Sequence, residues 1–299
     1  MSVALQVLTE TVGGQGIASG FRDASALAWR LAVAVHPSFS SYPSLLRAWY
    51  TERKQQLEKS LGATVENGKY VTEGNRFKIF IRDWYLWMLQ LIPSWKHWLE
   101  MGQRREGMVR YQSEPGAGMA FLPEYGGGGC FPQVYCTALT TVAGKSKSKE
   151  DDDLDIKFTD DVIFAPSKKA LFQLVALLNS IDDIKATQSD LRDIDRLSNS
   201  EVLASETTFL IHDATANPTP QVPENTYRIA TGEEFAKDKK LCGNRPKPEY
   251  YDMLRMKQEA GGKKYVVLRP DRFVFALCDT KEEVEEAVGR IEEVLKGEI

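Results

Sequence analysis

The chain has 299 residues, 42% of them hydrophobic and 27% charged, with a formal net charge of −4. That is the composition of a soluble globular protein long enough for two domains of ordinary size. No basic stripe points to nucleic acid.

The longest apolar run, Trp84 to Pro93, is interrupted by Gln90 and is too short to span a bilayer. The N-terminal residues lack a charged segment followed by an apolar core and a small-residue cleavage site. The expectation is a cytoplasmic protein without membrane contact. Four cysteines, at 130, 136, 242 and 278, form no C-x-x-C pair, and three histidines, His36, His97 and His212, are scattered. No metal site is expected.

In chain order, Val3, Leu5 and Val7 alternate and permit a short strand. Next comes a glycine-rich loop with Gly13, Gly14, Gly16 and Gly20. The spacing predicts a helix over 21–34, with Ala24, Leu27, Ala28, Leu31 and Ala32 as its apolar face and Arg22, Asp23 and Arg30 off that face. Such a loop-to-helix junction presents unpaired N–H groups and favours an anion. A dinucleotide fingerprint is disfavoured, because residues 33–43 supply no following strand. A glycine-rich helix cap without any ligand is the bland alternative.

A second helix is expected over 44–61, packing through Leu45, Leu46, Trp49, Tyr50, Leu57 and Leu61. A third, over 76–101, carries Phe77, Ile81, Trp84, Trp87 and Leu91 at helical spacing, with Pro93 breaking it. Packing on a core is the simpler reading of that aromatic stripe, ahead of a substrate pocket or an oligomer surface. Residues 114–133 read as a loop, and the four glycines 126–129 lack the Lys-Ser/Thr continuation of a phosphate cradle. A charged, solvated loop is expected near 144–153. Strands are expected at Val134–Val142, Val162–Ala165 and Phe209–His212, and a helix over 167–179. Tyr265–Leu268 and Phe273–Leu277 read as a hairpin around Arg269-Pro270-Asp271-Arg272, a turn with a surface ion pair. A last helix over 280–296 has Thr280 as its cap and Val284, Ala287, Val288, Ile291, Val294 and Leu295 as its buried stripe.

Three of these strings carry a resemblance. Gly14-Gln15-Gly16-Ile17-Ala18-Ser19-Gly20-Phe21-Arg22-Asp23-Ala24, continued by Leu27-Ala28-Trp29-Arg30-Leu31, resembles the late flavin-contacting motif of FAD-dependent aromatic hydroxylases. That family includes the phenol hydroxylases and the 3-(3-hydroxyphenyl)propionate hydroxylases. Ala18 and Ala26 stand where the family commonly has Asn, and Arg30 where it has Lys. Tyr50-Thr51-Glu52-Arg53 is similar to the family's Tyr-x-x-Glu-Arg segment. Arg269-Pro270-Asp271-Arg272-Phe273-Val274 resembles its C-terminal Arg-Pro-Asp hairpin.

The resemblance implies an α/β (α+β) fold. Residues 1–125 would be the helical C-terminal part of an FAD-binding monooxygenase domain, without its N-terminal βαβ unit. Residues 126–299 would be a thioredoxin-like domain without redox cysteines. The cofactor-binding residues it implies are Gly14, Gln15, Gly16, Ile17, Ala18 and Ser19, with the backbone at Ile17 and Ala18 facing the flavin ring. It implies FAD and NAD(P)H as cofactors, a small hydrophobic aromatic substrate, and hydroxylation of a phenolic or polyketide-type ring. It assigns no catalytic residue in this chain.

The fingerprint for the ADP part of FAD and the other two FAD motifs are missing from the sequence. A helix N-terminus supplies about 2 kcal/mol at best, against roughly 8 kcal/mol for micromolar binding. The chain therefore reads as a truncated monooxygenase that does not hold FAD alone. The alternatives are a flavin-free scaffold or homodimerisation partner, or a fold reused for cofactor-free isomerisation with His36, His97 or His212 as acid–base candidates.

Overall fold

The structure, a computed structural model, describes residues 15–35, 39, 41–96, 109–140, 155–213, 215–216, 222–238, 251–296 and 298. Its first half is helical: α1 (Gln15–Ala34), α2 (Tyr42–Val71) and α3 (Arg76–Gln90). Strand β1 (Tyr135–Ala138), β2 (Ile156–Phe158) and the short helix α4 (Thr159–Ile163) follow. Then come β3 (Gln173–Leu178), α5 (Asp183–Asp190), α6 (Ile194–Leu197), β4 (Thr208–Ile211), β5 (Thr226–Ile229) and α7 (Gly232–Lys237). The chain continues through α8 (Arg255–Glu259), β6 (Tyr265–Leu268), β7 (Val274–Cys278), α9 (Lys281–Gly289) and α10 (Ile291–Lys296).

The seven strands form one mixed sheet in the order β2-β1-β5-β4-β3-β6-β7. Strands β3, β4 and β5 are parallel, and β6 runs antiparallel to both β3 and β7. All six residues of β3 are buried, as a central strand covered on both faces requires. Its alternate residues divide the core. Leu174, Ala176 and Leu178 face a cluster with Val284, Ala287, Val288 and Ile291 of α9 and α10. Val175 and Leu177 face the other layer, with Ile163 of α4 and Met256 of α8. The first layer also takes Trp29 of α1 and Leu45 of α2, so the helical half and the sheet share a core.

The hairpin is as expected, and the terminal stripe is buried throughout. Thr280 accepts from the Glu283 N–H, but the helix is interrupted at Arg290. Two expectations fail. The 167–179 segment forms no helix and supplies the interior strand β3 at Gln173–Leu178, and Val162–Ala165 give way to the end of helix α4. A short apolar run satisfies either period, and burial on both sides decides it. The charged loop near 144–153, Cys242, His36 and His97 lie outside the described residues.

The glycine run is neither cradle nor free linker. Leu122 N–H donates to Phe275 O, Gly128 N–H to Val274 O, and Val274 N–H to Gly129 O, at 2.7–2.9 Å. A Cβ on Gly127 would lie 2.4 Å from the Phe275 carbonyl oxygen. Glycine is needed there because backbone passes directly over backbone.

Candidate functional site

Helix α1 begins among the described residues at Gln15, so Gly16, Ile17, Ala18, Ser19 and Gly20 are helical rather than part of a preceding loop. Gly14 lies outside the described residues. Asp23 is consequently two turns inside the helix, not at its start, and it pairs with Arg53 of α2. A Cβ added at Gly20 would meet no atom within 4 Å. That glycine is not demanded by packing among the described residues, and it lowers helix stability.

The face that α1 buries is not the predicted one. Ala24, Ala28, Leu31 and Ala32 are exposed, while Ala26, Trp29 and Arg30 are buried. Arg30, expected off the packing face, has no exposed surface. The reason lies in what it meets. Its Nη2 is 2.9 Å from Oε2 of Glu52, itself fully buried on α2. Helix α2 departs from expectation in part: Leu45 is buried as expected, but Leu46 and Tyr50 are exposed, while Thr51, Glu52, Arg53 and Gln56 are buried.

The centre of this seam is Arg269, between β6 and β7 and also fully buried. Its Nη1 and Nη2 donate to the two carboxylate oxygens of Glu52 at 2.7 and 2.8 Å. Its Nε and Nη2 donate to Asp271 at 2.9 and 2.6 Å. The Trp29 indole N–H donates to Asp271 Oδ2 at 3.0 Å. Both guanidinium groups lie near the Trp29 ring, at 4.4 Å for Arg30 and 5.4 Å for Arg269, within cation–π range. Two cations and two anions thus neutralise one another away from water, and Arg269 does so through planar bidentate contacts that an ammonium could not make.

Burial works against every charge in this cluster, and the pairing opposes it. Asp271 is penalised by burial, but Arg269, Arg30 and the Trp29 N–H together hold its pKa below the usual carboxylate value. Burial likewise opposes the Arg269 cation, yet Asp271 and Glu52 raise its pKa well above normal. At the edge, Tyr111 stacks on Phe273 with centroids 4.4 Å apart, and its hydroxyl donates to Gln56 Oε1 at 3.2 Å. Burial pushes the Tyr111 pKa up to about 12. The cluster holds α1 in place.

The Arg269–Asp271 pair is therefore a correction: it is a buried tie between the hairpin and two helices, not a surface ion pair. The strings Trp29-Arg30, Glu52-Arg53 and Arg269-Pro270-Asp271 were each visible in the sequence. Nothing local to any of them signalled that they converge. A cleft of about 470 Å³ adjoins the seam, between Ser25 of α1, Asp160 and the Pro270–Arg272 turn. Arg272 has a φ of 69° and reaches Asp160 at 2.9 Å.

Helix α3 differs from expectation too. Asn75 caps it by accepting from the N–H groups of Phe77 and Lys78, but Leu89 alone of its residues is buried. Phe77, Phe80, Trp84 and Trp87 are all more than half exposed. Among the described residues, no group of three His, Cys, Asp or Glu is placed to hold a metal ion. No described helix is long and apolar enough to cross a membrane. Cys130, Cys136 and Cys278 are free thiols, and burial raises the pKa of each.

No protein-family model matches the chain. A 3-(3-hydroxy-phenyl)propionate/3-hydroxycinnamic acid hydroxylase of Klebsiella pneumoniae is 34% identical over 102 residues, 32% of this chain and 18% of that enzyme. The Escherichia coli hydroxylase of the same name is 33% identical over 89 residues, 29% of this chain and 16% of the enzyme. The chain matches less than a fifth of the length of these curated relatives. The matched third is similar to a hydroxylase-like family.

Proposed function

We propose that this chain carries the flavin-ring end of an FAD-dependent aromatic hydroxylase, together with a thioredoxin-like unit that fixes that end in place. The observation that carries this reading is the convergence of three separate family-like strings on one buried cluster of Arg30, Glu52, Arg269 and Asp271. The order β4-β3-β6-β7, with β6 antiparallel to the other three, supports the thioredoxin-like part.

On this reading the backbone around Ile17 and Ala18 would meet the flavin ring, and open space beside Gly20 fits close approach of a ligand to the helix. FAD with NAD(P)H would supply the redox chemistry of ring hydroxylation. The helix dipole favours negative charge at the amino end of α1 by at most about 2 kcal/mol, so a flavin held by this end alone binds far more weakly than micromolar. An FAD titration followed by amide NMR is expected to give weak, saturable shifts at Ile17 and Ala18. Absence of shifts there overturns the flavin assignment, and micromolar binding overturns the weak-affinity part.

A second reading rests on α3. Its exposed Phe77, Phe80, Trp84 and Trp87 suit a flavin-free scaffold or a homodimer. Light scattering separates the two: a compact monomer at all concentrations counts against self-association.

A further inference from the structure

Helix α3 is apolar on two sides. At about 100° per residue, Phe77, Phe80, Ile81, Trp84, Trp87 and Leu91 fall within about 60° of Trp84, and all six are exposed. Ile79, Leu86 and Leu89 lie on the opposite side and are less exposed. A helix that is apolar all round belongs in a core or against a membrane rather than in water.

The exposure is concentrated. Single exposed hydrophobics are ordinary, but nine of the eighteen large ones among the described residues fall between Phe77 and Trp95. The six aromatics in that span are 43–71% exposed and present roughly 700 Å² at the usual size of such side chains. The largest apolar patch on a soluble monomer is more often roughly 300–600 Å². Trp84, Tyr85, Trp87 and Trp95 each join an apolar body to a polar N–H or O–H. That suits the boundary between lipid headgroups and acyl chains. The helix runs 15 residues, about 22 Å. It is too short to cross a hydrocarbon core of about 30 Å but long enough to lie along one. The expectation of no membrane contact rests on the lack of a spanning segment, which says nothing of a helix lying in the surface.

Charge decides between a bilayer and a second copy. Between Glu73 and Lys96, the cations Arg76, Lys78, Arg82 and Lys96 stand against Glu73 and Asp83. Lys78 pairs with Glu73 at 3.4 Å and Arg82 with Asp83 at 2.7 Å. Four cations less two carboxylates leave an excess of two positive charges, in a chain whose net charge is −4. A two-fold contact sets a patch against itself, so that excess would face its own copy. Anionic headgroups complement it instead.

We infer that the exposed face of α3 docks on an anionic lipid surface, with its aromatics in the headgroup boundary and the basic residues at its rims toward the phosphates. The face shares no residue with the flavin reading. It is the face that self-association would use, and the test separates the two.

The test uses the whole chain and two kinds of vesicle, phosphatidylcholine alone and phosphatidylcholine mixed with phosphatidylserine. Flotation at low salt should carry the chain with the mixed vesicles about tenfold more strongly than with the neutral ones, and added salt should reduce the difference. Trp84→Gln combined with Trp87→Gln should weaken partition about tenfold or more. Leu254→Ser, at an exposed apolar side chain in the sheet half, should leave it unchanged, with thermal melting confirming that each variant is folded. Absence of flotation with the mixed vesicles overturns the proposal. So does equal flotation with both kinds, or flotation indifferent to the double substitution. Light scattering over a concentration series supplies the remaining outcome: a dimer that the double substitution dissociates gives the face to a second copy and overturns the lipid assignment. The FAD titration reads Ile17 and Ala18, so either reading fails without the other.

Discussion

The seam around Arg269 and the surface of α3 invert each other. At the seam four charged side chains are buried: Arg30, Glu52 and Arg269 are wholly so, and Asp271 is nearly so. On α3, Trp84 and Trp87 stand 53% and 58% exposed, among other large aromatics. Hydropathy alone points the opposite way in both places. A residue's polarity sets what burial costs, but the partner it meets decides whether burial happens. Glu52 and Asp271 meet guanidinium groups in bidentate geometry, and the penalty for desolvation is offset. The aromatics of α3 have no such cover among the described residues.

The most damaging change to that contrast is Arg269→Met. It strands Asp271 in a dry seam and leaves Glu52 with Arg30 alone, and urea unfolding should show a loss of about 3–5 kcal/mol. A loss below about 1 kcal/mol would mean that water reaches the seam. Acidification attacks the same cluster. The folded-state pKa of Asp271 is depressed, so its stabilisation is present above the unfolded-state value and is lost as pH falls through the folded one. Stability should hold near neutrality and decline below about pH 4. Urea midpoints across acidic pH should show a shallower decline for Asp271→Asn, from a lower starting stability.

Gly20→Ala sharpens the comparison from the helical side. With open space beside it, the substitution should stabilise the chain by about 0.5–1 kcal/mol in the same assay. A loss would show that something outside the described residues presses on that face. The smallest effect is expected at Trp84→Gln, within about 0.5 kcal/mol. A larger loss of stability, or a change in oligomeric state by light scattering, would show that the α3 surface is covered in solution.

Much of the sheet half was legible. Thr280 capping, the terminal stripe and the β6–β7 hairpin follow from local spacing, because each repeats its signal over several residues. The 167–179 segment was misread because Leu171, Leu174, Val175 and Leu178 fit a helical period, while burial of β3 on both faces removes the alternation that marks a strand. On α1 the apolar spacing points to the wrong face, since Ala24, Ala28, Leu31 and Ala32 are exposed and the helix packs through its Trp29–Arg30 side.

The sequence by itself determined the strings that resemble a flavin-dependent hydroxylase, the absence of a C-x-x-C pair, and the glycines at 126–129. Only the tertiary structure decided that Trp29-Arg30, Glu52 and Arg269-Pro270-Asp271 are parts of one object. More than two hundred positions separate Arg30 from Arg269. Charge complementarity in a buried seam is a property of the pair and not of either residue, so no local pattern records it.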